Sequence, residues 1–323
     1  MTPPSTAGES SRAVLTLALG PTLYLDLAIN LARSFFQWNQ AEAISFHIVT
    51  DRLIILPSDL AAVNLIVVQP GRFGSGFTPK LWLDHLVPAA NNLFIDADCL
   101  CFGSLDPVFD RFAGRPVAMI GQTQTDGHFF GDIEALRKRF NLPWIISFVG
   151  CVYYVEKSEI ATSVYTEARL LEAQYDQLGL VRLRGVPNDE PLMALAMAGH
   201  GLLPLADDGL IKADAMHYQS IRCLDVVRGV AWVEHPWPEK AVPPVARPVL
   251  FHFNAYFTES RFYRRESIRL ELIQRQHWPV LLASAWALVR YDWPAQTEEK
   301  FKNLFRPLYR AIGGTRGIKA GQR

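Results

Sequence analysis

The first hundred residues of the chain alternate short apolar runs with a longer stretch in which apolar residues recur at helical spacing. The apolar runs are of strand length and cover residues 14–19, 44–49, 65–68 and 93–95. After the first run, a helical stripe is formed by Leu23, Leu27, Leu31, Phe35 and Trp38. Parallel strands require a crossover of this kind between them. The order therefore predicts an α/β fold whose largely parallel central sheet has helices on both faces.

Further elements are predicted along the rest of the chain. Thr78 and Pro79 have the residue types of a helix N-cap and first helical position. Strands are predicted at residues 150–155 and 249–253, a buried helix at 191–198, and a proline-rich loop at 236–248. Beyond residue 257 the chain is predicted to be helical and basic.

The length of 323 residues suits one large α/β domain with a C-terminal appendage. We predict a disordered segment at residues 1–12, a main domain at 13–265 and a helical, basic segment at 266–323. Half of the residues are apolar, so the chain can bury a sizeable core. The formal net charge is zero, which argues against nucleic acid as a partner.

Nothing in residues 1–12 resembles the apolar region of a secretory signal, which predicts a cytoplasmic protein. The apolar run at residues 279–289 is shorter than the ~20 residues that span a bilayer. Residues 300–323 mix basic and apolar side chains, a pattern typical of a helix on the inner face of a membrane. A terminal helix docked on its own domain is the alternative.

The four scattered cysteines are interpreted as reduced structural thiols.

Two aspartates, Asp96 and Asp98, directly follow the apolar run at residues 93–95. In an extended segment, residues two apart project their side chains to one side. Carboxylate oxygens are suitable ligands for Mg²⁺ or Mn²⁺, and sites in parallel sheets gather at the carboxyl ends of strands. The pair is therefore predicted to bind a divalent ion that bridges to a diphosphate. The alternative is two carboxylates that cap a loop.

Lys80 lies on the first turn of the helix predicted to begin at Thr78. The N-terminus of a helix carries a partial positive charge, so a lysine there is unfavourable unless an anion binds to both. Lys80 is therefore predicted to contact the phosphates of a ligand; an ordinary solvated lysine is the alternative.

The pattern F-T-P-K-L at residues 77–81, followed by N-L-F-I-D-A-D-C-L at 92–100, resembles the glycogenin- and galactosyltransferase-like retaining glycosyltransferases with the GT-A fold. The resemblance extends over residues 14–263 and is close only around the D-x-D pair. It implies a GT-A-like catalytic domain in which Lys80 and Asp96 contact a nucleotide-sugar donor. It also implies that Tyr24 stacks on uracil; a tyrosine packed beside its helix is the alternative.

Two later segments resemble elements of the same family. Residues 148–152 are similar to its F-N-x-G-V strand, with Val149 in place of Asn. Residues 188–193 are similar to its D-Q-D-x-L-N element, with Asp189 in place of Gln. The resemblance places Asp189 and Glu190 beside the reacting sugar, where a carboxylate can stabilise a cationic anomeric carbon or act as a nucleophile. Both residues are also well suited to the start of a helix.

His252 lies in the predicted strand 249–253, and the resemblance implies that it is the third metal ligand beside Asp96 and Asp98. The alternative is a histidine of the core whose hydrogen bonds are all made within the protein. The family's later Lys-Pro-Trp sequence is missing, so its phosphate-binding lysine would be replaced by Arg261, Arg264 or Arg265.

The residues and the resemblance together predict a metal-dependent glycosyltransferase, a hexosyltransferase in particular, that uses Mn²⁺ or Mg²⁺ and a UDP-sugar donor. The resemblance implies retention of configuration; in an inverting enzyme, the alternative, a carboxylate would deprotonate the acceptor hydroxyl. The acceptor is a saccharide, a lipid-linked molecule or a protein. A sugar nucleotidyltransferase is one alternative, although residues 19–22 are not the Gly-rich loop with Arg and Lys that such enzymes carry after the first strand. An inactive nucleotide- or sugar-binding protein of the same fold is another.

Overall fold

The computed structural model describes residues 11–41, 43–218, 220–235, 242–294 and 297. Internal contacts divide the chain into two compact units, Met1–Phe257 and Thr258–Arg323. The predicted disordered segment at residues 1–12 falls almost entirely outside the described residues, and the predicted membrane segment at 300–323 lies wholly outside them. None of the helices in the described part is long and apolar enough to cross a membrane.

The described part of the chain contains twelve strands: β1 (Arg12–Ala18), β2 (Ile44–Thr50), β3 (Val63–Val67), β4 (Asn91–Ile95), β5 (Cys99–Cys101), β6 (Val117–Gln124), β7 (Ile145–Glu156), β8 (Lys212–Asp214), β9 (Ser220–Asp225), β10 (Val230–Glu234), β11 (Val245–Ala246) and β12 (Leu250–His252).

Its α-helices are α1 (Thr22–Trp38), α2 (Leu83–Leu86), α3 (Asp106–Phe112), α4 (Ile133–Phe140), α5 (Glu159–Glu172), α6 (Asp189–Gly199), α7 (Arg261–Leu270) and α8 (Val280–Ala287). Short 3₁₀ helices cover Ser58–Leu60, Thr78–Trp82 and Ala255–Glu259, and π-helical turns cover Glu271–Arg275 and Leu288–Asp292.

The central sheet has six strands in the order β3-β2-β1-β4-β7-β6. The pairs β3–β2, β2–β1 and β1–β4 are parallel, whereas β7 runs antiparallel to both β4 and β6. The predicted α/β class with a largely parallel sheet is therefore confirmed. The carboxyl ends of β1 and β4 lie at one edge of the sheet because these two strands are parallel neighbours.

The apolar patterns of the sequence correspond to buried faces in the structure. Val14 and Leu15 in β1 are fully buried, as expected of a strand with neighbours on both sides. On α1 the inner stripe Leu27, Leu31 and Phe35 is buried, while the outer end of that stripe, Leu23, is 56 % exposed. The amphipathic helix thus covers the sheet by burying one stripe of its surface.

The start of the predicted helix after residue 77 differs from the expectation. Thr78 is not an N-cap: Phe77 is the cap, and Thr78 and Pro79 are the first residues of a five-residue 3₁₀ helix. The Thr78 hydroxyl instead bonds within the preceding loop, where it donates to the Ser75 carbonyl oxygen at 3.1 Å. This local hydrogen bond competes with capping.

Two small sheets complete the first unit. One has the order β5-β12-β8 and the other has the order β11-β10-β9. The prediction of a continuous loop at residues 236–248 was wrong at Val245–Ala246, because these residues pair with β10 as β11. The two-residue strand is too short to give an apolar pattern. Residues 236–241 lie outside the described residues.

The second unit is helical, and α7 packs against α8 and the turn after it. Inside it, Arg265 donates to Glu266 at 2.6 Å and to Asp292 at 2.8 Å, and Arg269 donates to Glu266 at 2.8 Å. The guanidinium of Arg265, one of three expected to contact phosphate, is thus engaged by two carboxylates of its own unit.

Candidate functional site

The D-x-D pair lies between two strands that belong to different sheets. Asp96 follows the last residue of β4, and its backbone N–H donates to the Cys151 carbonyl of β7 at 2.9 Å. Asp98 precedes β5, and its carbonyl accepts from the Phe253 N–H at 2.9 Å. Both side chains are largely buried, at 21 % and 25 % exposure. The backbone at the carboxyl end of β4 is therefore held from both sides.

The β5–β12 pairing places His252 beside the two aspartates. His252 lies opposite Cys99 in the antiparallel register, one position from Asp98. Its Nε2 is 3.1 Å from Asp98 Oδ1 and 4.0 Å from Asp96 Oδ2. The structure thus brings together the three side chains that the resemblance implied as metal ligands.

Asp214 holds the other nitrogen of the same imidazole. In the parallel register of β8 and β12, His252 lies opposite Asp214, and its Nδ1 donates to Asp214 Oδ1 at 2.6 Å. The second oxygen of Asp214 accepts from Lys212 Nζ at 2.7 Å. Burial alone would raise the pKa of Asp214, but Lys212 and His252 outweigh it and hold that pKa well below its usual range. Sequence reasoning missed Asp214 and Lys212.

Lys80 is buried and paired with a residue of the site. Its Nζ donates to Asp96 Oδ2 at 2.8 Å and to the Gly150 carbonyl oxygen at 2.7 Å. Burial opposes the charged ammonium, yet the nearby carboxylates of Asp96, Asp189 and Glu190 raise the pKa of Lys80 above its usual value. Lys80 is therefore a fixed cation, and Asp96 is an anion that it contacts.

The start of α6 supplies two further carboxylates. Asn188 is the N-cap residue, but its side chain does not accept a capping hydrogen bond; it donates to Glu190 Oε2 at 3.4 Å. Glu190 Oε1 accepts from the Gly150 N–H at 2.8 Å, and Asp189 Oδ2 accepts from the hydroxyl of Tyr153. Gly150 thus links α6 to Lys80, with one backbone group bonded to each.

Gly150 permits a close approach that no larger residue would allow. A Cβ atom at this position would lie 2.8 Å from the Tyr153 hydroxyl, 3.1 Å from Glu190 Cγ and 3.2 Å from Asp189 Oδ2. These separations are shorter than ordinary van der Waals contacts. The glycine therefore lets both carboxylates reach β7.

Burial raises the pKa values of several carboxyls in the site. It raises the pKa of Glu190 to about 7, aided by the charge of Asp189. It also raises the pKa of Asp189 to about 6 against the opposing charge of Lys80. The pKa of Asp96 is raised as well, chiefly by burial. Carboxyls with raised pKa values are candidates for proton transfer near neutral pH.

The side chains at the end of β4 fit a divalent metal ion. Two neighbouring ligands of an octahedral ion with bonds of 2.0–2.1 Å lie about 3 Å apart, and two opposite ligands lie about 4 Å apart. The 3.1 Å from His252 Nε2 to Asp98 Oδ1 fits two neighbouring ligands. Asp96 Oδ2 lies 4.0 Å from the same nitrogen but accepts from Lys80, and the side chains whose ligand atoms lie close enough together to hold an ion are Asp98, Cys99 and His252. The bond from Nδ1 to Asp214 leaves Nε2 facing the aspartates, which is how a carboxylate orients a metal-binding imidazole.

Cysteines lie close to this group. Cys99 and Cys151 are buried free thiols, and Cys151 Sγ is 3.6 Å from Asp214 Oδ1. Ligand atoms of Asp98, Cys99 and His252 all lie within 4.8 Å of one another. Cys99 is thus a third candidate ligand beside Asp98 and His252, one that sequence reasoning assigned to structure alone.

Tyr24 lies apart from this network. It is in the first turn of α1, after β1, and is 41 % exposed. The hydrogen bonds and ion pairs of the described residues do not connect it to Asp96. Its position after β1 nevertheless puts it at the sheet edge where β4 also ends.

A cavity of about 640 Å³ adjoins the site through Asp214. Its polar lining includes Gln122, Gln124, Lys212 and His217, and Phe148 contributes an apolar wall. The cavity and the candidate metal ligands thus share one residue, since Asp214 also holds His252.

The mostly parallel sheet, with a D-x-D pair at the end of β4, defines a GT-A-type α/β fold. A solved structure with this fold is the galactosyltransferase LgtC in complex with donor and acceptor sugar analogs. It aligns with a TM-score of 0.50 and 14 % identity, over 85 % of this chain and 95 % of that one. The predicted resemblance to a GT-A glycosyltransferase is therefore confirmed at the level of the fold.

Two other solved structures align less well. An active-site mutant of LgtC gives a TM-score of 0.49 with 15 % identity over 75 % of this chain and 87 % of that one. The apo-form glycosyltransferase GlyE of Streptococcus pneumoniae gives 0.40 with 14 % identity, over 61 % of this chain and 45 % of that one. This chain thus spans less than half of GlyE. No protein-family model and no curated protein match the sequence.

Proposed function

We propose that this protein transfers a hexosyl group from a nucleotide-diphosphate sugar, a UDP-sugar in particular, to an acceptor hydroxyl. The observation that carries the proposal is the convergence of Asp96, Asp98 and His252 at the end of β4, beside a buried lysine. A fold shared with a galactosyltransferase is compatible with this chemistry, but a fold alone does not define an activity.

The donor diphosphate would be held by the three ligands and by Lys80. Asp96, Asp98 and His252 would hold Mn²⁺ or Mg²⁺, and Asp214 would keep the imidazole in place. When bound, such an ion neutralises charge that develops on the departing nucleoside diphosphate. Lys80 uses two of its three protons on Asp96 and Gly150, which leaves one for a phosphate oxygen. Tyr24 would stack on uracil.

Asp189 and Glu190 would act on the sugar. As the bond between the anomeric carbon and the diphosphate oxygen breaks, positive charge develops on that carbon, and a nearby carboxylate stabilises it. Transfer with retention would follow if one of the two attacked the anomeric carbon from the face opposite the leaving diphosphate and the acceptor hydroxyl, losing its proton, then displaced that carboxylate from the other face. In an inverting enzyme, Glu190, with a pKa of about 7, would instead take the proton of the acceptor hydroxyl.

The cavity beside Asp214 is our candidate for the acceptor site. Its amide, lysine, histidine and aspartate groups offer hydrogen bonds of both kinds, which suits a polyhydroxylated molecule. A saccharide, a lipid-linked saccharide or a glycosylated protein would each present such hydroxyls.

A panel of nucleotide sugars tests the proposal, with release of the nucleoside diphosphate measured in Mn²⁺ and again in EDTA. We expect release from at least one UDP-sugar, its loss in EDTA, and a fall of at least 100-fold in Asp98→Asn. The matched control Glu159→Gln changes an exposed acid on α5 and should keep full activity. If no donor releases its nucleoside diphosphate and the affinity for UDP is the same with and without Mn²⁺, the protein is an inactive binding protein instead.

A further inference from the structure

Three side chains beside the end of β4 offer three kinds of donor atom to one ion. The ligand atoms of Asp98, Cys99 and His252 all lie within 4.8 Å of one another, and Asp98 Oδ1 is 3.1 Å from the imidazole Nε2. Asp96 is engaged elsewhere, because its Oδ2 accepts from Lys80 Nζ at 2.8 Å. An oxygen, a nitrogen and a sulfur atom thus lie around one position.

The thiol of Cys99 lies in polar surroundings, although it is fully buried. In the antiparallel register of β5 and β12, Cys99 lies opposite His252. It also forms a hydrogen bond with the thiol of Cys151, whose Sγ is 3.6 Å from Asp214 Oδ1. A buried cysteine usually behaves as a small apolar side chain. Here both sulfur atoms lie beside groups that bind metals, and the Asp98 side chain, 25 % exposed, reaches the solvent.

The donor atoms of this group suit an ion other than Mn²⁺ or Mg²⁺. Carboxylates and water suit those two ions, whereas thiolates select softer ions such as Zn²⁺. With Zn–S bonds of about 2.3 Å and Zn–N and Zn–O bonds of about 2.0–2.2 Å, neighbouring ligand atoms of a tetrahedral zinc ion lie about 3.3–3.6 Å apart. Asp98 and His252 are already close to this separation, and Cys99 Sγ reaches it with a shift of at most about 1.5 Å.

We propose that Asp98, Cys99 and His252 bind Zn²⁺ through one thiolate, and that the bound zinc excludes Mn²⁺ and inhibits glycosyl transfer. The thiol of Cys99 loses its proton to the solvent as the Zn–S bond forms. Both ions need Asp98 and His252, so only one of them binds at a time. The binding of zinc is independent of the proposed function, whereas the inhibition depends on it.

The two ions differ in the number of positions that they leave open. A tetrahedral zinc ion with three protein ligands keeps one open position. An octahedral ion on Asp96, Asp98 and His252 keeps three, which is enough for two oxygens of a diphosphate and a water molecule. The zinc-loaded protein therefore holds the donor diphosphate less well than the protein loaded with Mn²⁺.

Titration of the full chain with Co²⁺, a spectroscopic substitute for Zn²⁺, tests the sulfur ligand without any measurement of activity. We expect a thiolate-to-Co²⁺ charge-transfer band in the near ultraviolet that saturates at one ion per chain and disappears when Zn²⁺ is added. The band should be missing in Cys99→Ser. The matched control is Cys223→Ser, which removes a free, partly exposed cysteine of β9 and should keep the band.

Competition between metals separates the thiolate from the other two ligands. Cys99→Ser should lower the affinity for Zn²⁺ by at least about tenfold, and leave the affinity for Mn²⁺ in the presence of UDP within about twofold of the wild type. One equivalent of Zn²⁺ should suppress the Mn²⁺-dependent release of UDP in the wild type and in Cys223→Ser. Cys99→Ser should need at least about tenfold more zinc for the same effect.

The site is overturned if the wild type shows no charge-transfer band, or if the band persists in Cys99→Ser, because another thiol would then be the ligand. It is also overturned if Zn²⁺ and Mn²⁺ bind together. Release of UDP that continues at saturating zinc overturns the inhibition and leaves the zinc site standing. If no donor releases UDP at all, the proposed function has failed, and the Co²⁺ titration still decides whether Cys99 binds a metal.

Discussion

His252 is held at its two ring nitrogens by carboxylates from two different segments. Asp214 accepts from Nδ1 at 2.6 Å, while Asp98 faces Nε2 at 3.1 Å. Asp214 is itself fixed by Lys212, so the imidazole is positioned by a chain of two buried contacts. Partners of this kind set the orientation and basicity of a metal-binding histidine.

Replacement of Asp214 should therefore weaken metal binding without removal of a ligand. We expect Asp214→Asn to lower the affinity for Mn²⁺, measured by calorimetry in the presence of UDP, by about 10- to 100-fold. Asp207→Asn is the matched control, because Asp207 lines the same cavity but its carboxylate accepts from the Gly209 N–H. Equal affinities in the two variants would show that Asp214 does not position His252.

The raised pKa of Glu190 gives a second prediction at this scale. Its pKa is about 7 in the folded protein, above its ordinary value of 4.5, so between these pH values the folded state holds a proton that the unfolded state has lost. The contribution of Glu190 to stability therefore falls as pH rises from about 4.5 to 7. Glu190→Gln, which mimics the protonated form, should raise the free energy of unfolding at pH 8 by on the order of 1 kcal/mol.

Urea unfolding at pH 4.5 and pH 8 measures this effect as a difference between variant and wild type. The difference should be near zero at the lower pH and stabilising at the higher one, while donor turnover is lost. Glu159→Gln is measured in parallel as the control for removal of an exposed carboxylate. A variant less stable than the wild type at pH 8 would contradict a buried carboxyl with a raised pKa.

The sequence located most residues of the site, but not the contacts among them. Asp96, Asp98, Lys80, Asp189, Glu190 and His252 were chosen from four separate segments, and their side chains lie in one connected region. Asp214 and Lys212 were missed because their role depends on the register between β8 and β12, which no local pattern specifies. Tyr153 was missed because a tyrosine in a buried strand has the pattern of core packing.

At the scale of elements, the site depends on the approach of α6 to β7. The two meet at Gly150, whose N–H binds Glu190 and whose carbonyl binds Lys80. The buried apolar face of α6 packs against β7, so the carboxylates at its first turn are carried by a rigid helix. This arrangement places two acids beside Lys80.

Gly150→Ala should disturb this approach. The added Cβ would lie 2.8 Å from the Tyr153 hydroxyl, so we expect a loss of about 1–3 kcal/mol in stability and a large loss of turnover. Gly103→Ala is the control, because its Cβ would meet only Val249 at ordinary contact distances. Chemical denaturation measures the free energy of unfolding of both variants. Equal values for Gly150→Ala and Gly103→Ala would show that α6 can move away from β7 without loss of stability.

Elements with strong apolar patterns were predicted well, and weakly patterned ones were not. β1, β2, β4, α1 and α6 follow from buried runs or stripes of residues. β11 has only two residues, and the turn at Thr78 is decided by a side-chain bond to Ser75, so neither leaves a periodic signal. The antiparallel direction of β7 likewise has no marker in its sequence.

At the scale of the whole molecule, ligand binding should stabilise the first unit. A ligand that binds only the folded state adds about 2.7 kcal/mol at 100 times its dissociation constant. For a unit of this size we expect UDP with Mn²⁺ to raise its melting temperature by at least about 5 °C. Scanning calorimetry measures the shift. UDP alone or Mn²⁺ alone should raise the melting temperature by less than the two together. If UDP alone gives the same shift as UDP with Mn²⁺, the two do not share a site.

The α/β class was predictable because separate features of the sequence agree with it. Apolar runs of strand length alternate with helical stripes, and Asp96 and Asp98 directly follow one of those runs. Identity to LgtC is 14 %, so the fold is maintained by patterns of burial and not by particular residues. The cavity beside Asp214 had no sequence signal, because its lining comes from β6, β7 and β8 and from the connections between them.

The most direct test counts bound Mn²⁺ by electron paramagnetic resonance in the presence of UDP. The six-line signal of free Mn²⁺ should fall as one ion binds per chain of wild type. The same titration of Asp98→Asn should leave the signal of free Mn²⁺ nearly undiminished, with Glu159→Gln indistinguishable from wild type. If wild type and Asp98→Asn take up the same amount of Mn²⁺, the aspartates at the end of β4 do not hold the ion.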